Sequence, residues 1–140
     1  LESQSPLDLV ILMLGTNDCK TRFGLTASDV AAGVRELANL ILQSTAGRDG
    51  KAPRLLVMCP PYTNYAREAD YCSSFDDNSN RISRELPAKF ARFTREIGCE
   101  YLDLSQIVVA SEKDGIHLNP DQHQKVAAAV KAKVLEIFGA

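Results

Sequence analysis

The chain has 140 residues, the length of one globular domain. Apolar residues make up 45% of it and charged residues 24%, a composition that excludes disordered, collagen-like and coiled-coil proteins. Sixteen basic and eighteen acidic residues give a net charge of −2 with no basic stripe, so nucleic acid is not an expected partner. The longest apolar run, Leu9 to Leu14, is far shorter than the roughly 20 residues of a membrane span.

The four cysteines stand at positions 19, 59, 72 and 99, without the two-residue spacing of a zinc knuckle or a thioredoxin-like motif. Their density is too low for a secreted disulfide scaffold. We therefore expect reduced, partly buried thiols and a cytoplasmic protein. The chain begins at Leu1 without the basic start and apolar core of a signal peptide.

Three apolar segments predict β-strands. The first, Leu7–Leu14, is apolar at nearly every position, which predicts a strand covered on both faces, as in a parallel sheet. The second is Leu55–Cys59, which ends at a pair of prolines, and the third is Tyr101–Leu104. A polar and aromatic segment without periodicity, from Tyr62 to about Ser74, predicts a long loop after the second strand.

Apolar side chains at helical spacing predict three helices. Their apolar faces are Val30, Val34, Leu37 and Ile41; then Ile82, Leu86, Phe90, Phe93 and Ile97; and finally Val126, Val130 and Val134. In the first helix, Thr26 and Asp29 predict a capping box and Gly47 predicts the end. In the second, the pair Asp76 and Asp77 predicts a solvated helix start, and Pro87 predicts either a kink or a helix that starts near this residue. The remaining predicted boundary residues are Gly98, which ends the second helix, and Asn119, Pro120 and Gly139, which bound the third.

Strands and helices alternate along the chain, an order that predicts right-handed crossovers and a parallel sheet. Three strands are few for such an architecture. The first strand is as apolar as a central one, and an uncovered apolar edge is a hazard that native proteins avoid. We therefore expect residues 1–140 to be the C-terminal part of a single larger domain, whose first strands lie outside this sequence.

Polar residues with catalytic potential follow all three strands, at the edge where ligands bind in open parallel sheets. In the segment Asp114–His117, the carboxylate is placed to orient the imidazole as a general base, although an Asx turn with an incidental histidine has the same pattern. Asn17 is placed to donate its amide to an oxyanion, although asparagine is also an ordinary turn residue. His123 does not share a helical face with His117, so we expect a solvated side chain rather than a metal ligand.

Together these segments resemble the SGNH hydrolases, also called the GDSL esterase/lipase family. The third sequence block of that family, Gly-x-Asn-Asp, stands here as Gly15–Asp18, and the fifth block, Asp-x-x-His, as Asp114–His117. The surroundings of the third block are similar to the arylesterase and acyltransferase branch; they are Leu12–Leu14, Lys20, Phe23, Asp29 and Gly33. The resemblance implies a flavodoxin-like three-layer α/β/α fold with a parallel sheet.

The resemblance also implies a function and a site. The complete protein would hydrolyse small carboxylic esters, or transfer their acyl groups to alcohols, through a Ser-His-Asp mechanism without metal or organic cofactor. His117 would be the general base, Asp114 its orienter, and Asn17 an oxyanion donor. Asp18 would hold the turn. The residues implied to bind substrate are Gly15, Thr16, Lys20, Pro61, Tyr62 and Ile116.

The sequence departs from the family pattern in one large respect. The Gly-Asp-Ser block that carries the nucleophile, and the block with an oxyanion-hole glycine, both precede the third block in the family and are not in this chain. Ser3 and Ser5 lie before the first strand, at the wrong end for catalysis. We therefore expect the chain alone to be inactive and the N-terminal part of the same enzyme to be its partner, with a homo-oligomer left open.

Two other functions stay open at this stage. One is a non-catalytic α/β module that binds a small ligand or a protein through the edge of the first strand. The other is a carbohydrate deacetylase of the same superfamily, which would keep the mechanism and change the substrate.

Overall fold

The computed structural model describes residues 1–66 and 74–139. Its sheet contains three parallel strands in the order β1-β2-β3, namely β1 (Leu9–Met13), β2 (Arg54–Cys59) and β3 (Glu100–Asp103). In the register of the sheet, Val10 pairs with Leu55 and Val57 pairs with Tyr101. The three predicted strands and their parallel arrangement are confirmed, with small differences at their ends.

Three helices cover the two faces of the sheet: α1 (Ala27–Leu42), α2 (Asp77–Ile97) and α3 (Pro120–Phe138). Alternate side chains of β2 point to opposite faces. Leu55 and Val57 belong to a core cluster with side chains of α1 and α2, whereas Leu56 and Met58 pack with side chains of α3. The arrangement is therefore the predicted three-layer α/β/α fold. Within the described ranges, no helix has the length and apolar content of a membrane span.

The start of α1 agrees with the prediction, but its end and its buried face do not. Thr26 and Asp29 form the reciprocal capping box. The helix ends at Leu42, so the prediction of an end at Gly47 is wrong. Gly47 instead serves the tight turn before β2, where a Cβ would lie 2.8 Å from the backbone nitrogen of Pro53. Leu37 is exposed, because the face that packs on the sheet is centred on its neighbours Val30, Val34, Ala38 and Ile41.

A single helix runs through Pro87, so a helix start near that residue is wrong. Asp76 and Ser79 form a second reciprocal capping box at the real start. Ile82 and Leu86 are buried against the sheet and hold the turns before the proline. The predicted ends of α2 and α3, Gly98 and Gly139, are confirmed as left-handed caps.

Strand β1 differs from the expectation of a strand covered on both faces. It is an edge strand, and its partner in the sheet is β2. Val10 and Leu12 pack against the cluster of α1 and α2, but Ile11 and Met13 are 42% and 43% exposed on the opposite face. Helix α3 lies over β3 and leaves this part of the sheet open.

The cysteines within the described residues are buried or half-buried, as expected. Cys19, Cys59 and Cys99 are free thiols. Burial raises the pKa of Cys19 and of Cys59 to about 12 and that of Cys99 to about 11, so all three are protonated and poorly nucleophilic at neutral pH. Cys72 lies outside the described residues.

Candidate active site

Asp114 and His117 form a hydrogen-bonded pair in a turn that follows β3. Asp114 Oδ2 lies 2.6 Å from His117 Nδ1. Asp114 Oδ1 accepts hydrogen bonds from the backbone N–H groups of Ile116 and His117, at 2.8 and 2.9 Å. The carboxylate therefore closes an Asx turn with one oxygen and binds the imidazole with the other. The structure therefore contains the Asx turn and the carboxylate–imidazole contact together, and the catalytic role of His117 stays a prediction.

The electrostatics of the pair favour a histidine with an available Nε2. Burial of the Asp114 carboxyl acts to raise its pKa, but the hydrogen bonds from the His117 ring and from the two backbone N–H groups outweigh burial and hold that pKa below its ordinary value. A charged carboxylate beside Nδ1 keeps the proton on that nitrogen and leaves the lone pair on Nε2. The side chain of His117 is 69% exposed and that of Asp114 only 14%, so the free nitrogen faces outward from a fixed support.

Asn17 stands in a turn at the end of β1, at the same edge of the sheet. Gly15 begins the turn with φ +121°, and a Cβ on it would lie 3.4 Å from the side chain of Val30. Thr16 is half-buried, and residues 17–19 form one turn of 3-10 helix. The side chain of Asn17 is exposed at this edge of the sheet, and no hydrogen bond joins it to another described residue.

The other residues predicted to bind substrate have different surroundings. Pro61 is buried, and Tyr62 lies between Arg84, whose guanidinium is 5.9 Å from the ring centroid, and Gln106, which donates to its hydroxyl. Lys20 Nζ lies 5.5 Å from the ring centroid of Phe75. Ile116 belongs to the main core cluster and is 9% exposed. Their proposed contact with substrate stays a prediction.

Comparison with known proteins shows where this chain belongs. The model of the GDSL-like lipase/acylhydrolase family matches residues 1–125. The chain belongs to this family. Among solved structures, it is 29% identical to a carbohydrate acetylesterase from Sinorhizobium meliloti, with a TM-score of 0.89 over 97% of the chain. It is also 29% identical to the aryl esterase of M. smegmatis, with a TM-score of 0.84 over 96% of the chain.

The match to these solved structures is a match to part of them. This chain covers 64% of the length of each of the two esterases. No curated protein sequence is a significant match to it. The comparisons therefore show the family and the fold of this chain.

Sequence reasoning missed the groups that hold the Asp114–His117 turn of this family member in place. Gly115 has φ +69°, and a Cβ there would overlap the carbonyl of Asn64 and lie 2.6 Å from the backbone nitrogen of Tyr65. The backbone N–H of Asn64 donates to the Gly115 carbonyl at 2.7 Å. The loop after β2 and the histidine turn are thus in direct backbone contact. The glycine inside the Asp-x-x-His block was the available signal, because such a close approach requires glycine.

Ser111 closes the same turn from the other side. Its backbone N–H donates to the His117 carbonyl and its carbonyl accepts from the Gly115 N–H, both at 2.7 Å. Its hydroxyl donates to Asn119 Oδ1 at 2.9 Å, so the side chain of Asn119 closes this loop instead of capping α3. No periodic or spacing signal marks Ser111 in the sequence, since it lies in a loop.

Near the edge of the sheet where the strands end, the described residues add no metal site and no second histidine to this pair. His123 is exposed on α3, as expected, and the structure does not join it to the Asp114–His117 pair. In residues 1–66 and 74–139, no three His, Cys, Asp or Glu side chains lie close enough to share a metal ion. A cavity of about 210 Å³ lies between α1 and the segment after β1, beside Leu14 and Asp18, and Asn17 does not line it.

Proposed function

We propose that this chain supplies the general base, its orienting carboxylate and one oxyanion donor of a serine esterase. The observation that carries the proposal is the 2.6 Å contact between Asp114 Oδ2 and His117 Nδ1, which leaves Nε2 directed outward. The family of the chain and its likeness to an aryl esterase and a carbohydrate acetylesterase support the same reaction class. The substrate class is a carboxylic ester.

The reaction follows the established logic of a Ser-His-Asp triad. His117 Nε2 takes the proton of the serine hydroxyl as the serine oxygen attacks the ester carbonyl. The Asp114 carboxylate stabilises the imidazolium, and the Asn17 amide donates to the oxyanion of the tetrahedral intermediate. His117 then returns the proton to the leaving alcohol, and the acyl group stays on the serine. Water releases the acid in a second cycle with the same base, or another alcohol takes the acyl group.

The serine would come from a segment outside these 140 residues, in the Gly-Asp-Ser block of the family. The open face of β1 supports this part of the proposal, because Ile11 and Met13 expose apolar side chains at an unpaired edge. A preceding strand that paired with β1, together with a connection that covered this face of the sheet, would bury them. It would also place a residue at its own carboxyl end beside Asn17, since parallel strands end at the same edge.

Labelling with a fluorophosphonate, followed by peptide mass spectrometry, tests the proposal. In the complete protein, we expect the label on a serine within Gly-Asp-Ser and turnover of phenyl acetate. The 140-residue chain alone should show neither, because a base and an oxyanion donor without a nucleophile cannot form the acyl-enzyme. A complete protein that takes no label and hydrolyses no ester would overturn the proposal and favour a binding module that uses the edge of β1.

A second candidate substrate class is acetylated carbohydrate. The 29% identity to the Sinorhizobium meliloti carbohydrate acetylesterase favours it. The residues and the mechanism would be unchanged, and only the alcohol part of the ester would differ. Comparison of kcat/KM for phenyl acetate with that for an acetylated sugar decides between the two.

A further inference from the structure

The side chain of Asn80, on the first turns of α2, forms hydrogen bonds with the backbone of the loop that follows β2. Its Oδ1 accepts from the Tyr65 N–H and its Nδ2 donates to the Tyr65 carbonyl, both at 2.9 Å. The amide therefore satisfies both backbone groups of one residue, as the neighbouring strand of a sheet would do. An irregular loop has no other regular partner for these groups, so the amide fixes the position of Tyr65.

Next to Tyr65, the same loop contacts the turn that contains Asp114 and His117. The residue before Tyr65 is Asn64, whose N–H donates to the Gly115 carbonyl at 2.7 Å. The two backbones are so close that a side chain on Gly115 would overlap Asn64. Gly115 directly follows Asp114 in the chain and lies two residues before His117. A shift of Asn64 must therefore move the turn that carries both catalytic candidates.

Thr63 anchors the same loop to α2 one turn later. Its N–H and its hydroxyl both lie 3.1 Å from Ser83 Oγ, and both residues are buried. Ser83 thus holds the start of the loop, and Asn80 holds the residue that adjoins the contact with Gly115. Asn80 is the anchor closer to the histidine turn, and it is half-buried rather than part of the core.

We propose that Asn80 is a positioning residue for the Asp114–His117 pair, acting through Tyr65, Asn64 and Gly115. The inference rests on the proposed function for its catalytic consequence, but the geometric part stands on the hydrogen bonds alone. Asn80 touches neither substrate nor base. It fixes where His117 Nε2 points, and a misplacement of about 1 Å in such a group is enough to slow a reaction by up to about 10²-fold.

The test compares Asn80→Ala with Asn78→Ala in the complete protein. Asn78 lies on the same helix and is exposed, and its side chain bonds only to Arg81 among the described residues. Histidine ring ¹⁵N signals report the tautomer and mobility of His117 without any activity, and a His117→Gln variant assigns them. His123, exposed on α3, serves as the internal reference.

In Asn80→Ala we expect the His117 ring signals to shift or broaden, with those of His123 unchanged and the circular dichroism of a folded protein. The kcat for phenyl acetate should fall about tenfold with KM within about twofold, because positioning acts on the transition state. Asn78→Ala should change none of these. Asn80→Asp keeps the acceptor for Tyr65 N–H and loses the donor, so its effect should be intermediate and provides a second folded variant.

Unchanged His117 signals in folded Asn80→Ala, or an equal change in Asn78→Ala, would overturn the inference. If the complete protein proved inactive on every ester, the proposed function would fail while the ring signals still decided the role of Asn80. The two failures are therefore distinguishable.

Discussion

At the scale of single residues, the carboxylate of Asp114 has two roles: it closes the turn through backbone hydrogen bonds, and it places a charge beside the imidazole. One substitution removes the second role and keeps the first. In Asp114→Asn, the side chain keeps its shape and one oxygen for the backbone N–H groups of Ile116 and His117, but it loses the charge beside Nδ1. We expect kcat/KM for phenyl acetate in the complete protein to fall by about 10²–10⁴, as expected when a base loses its correct tautomer. The midpoint of thermal unfolding should change little.

Asp121→Asn is the matched control for this prediction. Asp121 is an exposed carboxylate at the start of α3, so the substitution removes the same charge close to the same loop without touching His117. It should leave kcat/KM within about twofold of the unmodified protein. If Asp114→Asn also kept that activity, the assignment of His117 as the base would be wrong.

Two glycines with nearly the same backbone isolate the contact between Asn64 and the histidine turn. Gly98 and Gly115 have φ of +71° and +69°, but the space around Gly98 is open whereas Gly115 abuts Asn64. Gly98→Ala should lower the free energy of unfolding by about 1 kcal/mol, the cost of a left-handed alanine. Gly115→Ala should cost about 1–3 kcal/mol more, since the added carbon must displace backbone.

Urea unfolding of both variants measures this difference, and phenyl acetate turnover of the complete protein measures its consequence. We expect Gly98→Ala to keep full activity and Gly115→Ala to lose most of it, because the displaced turn carries Asp114 and His117. Equal destabilisation by the two substitutions would mean that the close approach of Asn64 to Gly115 does not affect the free energy of unfolding.

At the scale of elements, the cap of α2 makes stability depend on pH. The Thr21 hydroxyl, together with the backbone N–H of Ser79, holds the pKa of Asp76 below its ordinary value. The folded state therefore binds fewer protons than the unfolded state as the pH falls, and the stabilisation from this carboxylate, full above about pH 4, is lost below that pH. Asn at this position keeps an oxygen for the Ser79 N–H, but it carries no charge and does not titrate, so it lacks the part of the stabilisation that the ionised carboxylate supplies.

Urea unfolding at pH 7 and pH 3 should accordingly show a stability advantage of the unmodified protein over Asp76→Asn that is present at pH 7 and shrinks at pH 3. Asp77→Asn, one residue further on, removes the same charge without the hydrogen bonds of Thr21 and should show a smaller change between the two pH values. An advantage of equal size at both pH values would contradict the role of Asp76.

The elements also show what sequence patterns contain and what they omit. The apolar run of β2 and the glycine after α2 were predictable, because burial on two faces and a left-handed cap leave few residue choices. The exposure of Leu37 was not predictable. Helical spacing identifies the apolar stripe of a helix, but it does not show which residues at the side of that stripe another element covers. The start of α2 was predictable from the acidic pair Asp76 and Asp77, whereas Pro87 indicated a competing start that the cap at Asp76 outweighs.

The candidate site divides in the same way. Asn17, Asp114 and His117 were found because they stand in short motifs at strand ends. Asn80 and Ser111 were missed, because their importance lies in contacts with backbone groups far along the chain. Hydrogen bonds to irregular loops have no period, so only the folded geometry reveals them.

At the scale of the whole molecule, one substitution on the uncovered face of β1 should have opposite effects in two proteins. It should destabilise the complete enzyme and reduce unwanted association of the isolated 140-residue chain. Ile11 is 42% exposed and lies on the face that α3 leaves open. In the proposed complete enzyme a preceding strand and its connections would bury it, so Ile11→Lys would place an unpaired charge in the interior and destabilise the fold by several kcal/mol. In the isolated 140-residue chain the same lysine stays in water and interrupts an apolar edge, so association of the chain should decrease.

Leu40→Lys is the control, because Leu40 is 55% exposed on α1, which packs on the other face of the sheet from Ile11, and a lysine there should be neutral in both proteins. Thermal unfolding measures the effect in the complete protein, and sedimentation measures association of the isolated chain. If Ile11→Lys left the stability of the complete protein unchanged, β1 would remain an exposed edge there as well. The strand that carries the nucleophile would then have to enter the sheet elsewhere, and Asn17 would lose its place beside the serine.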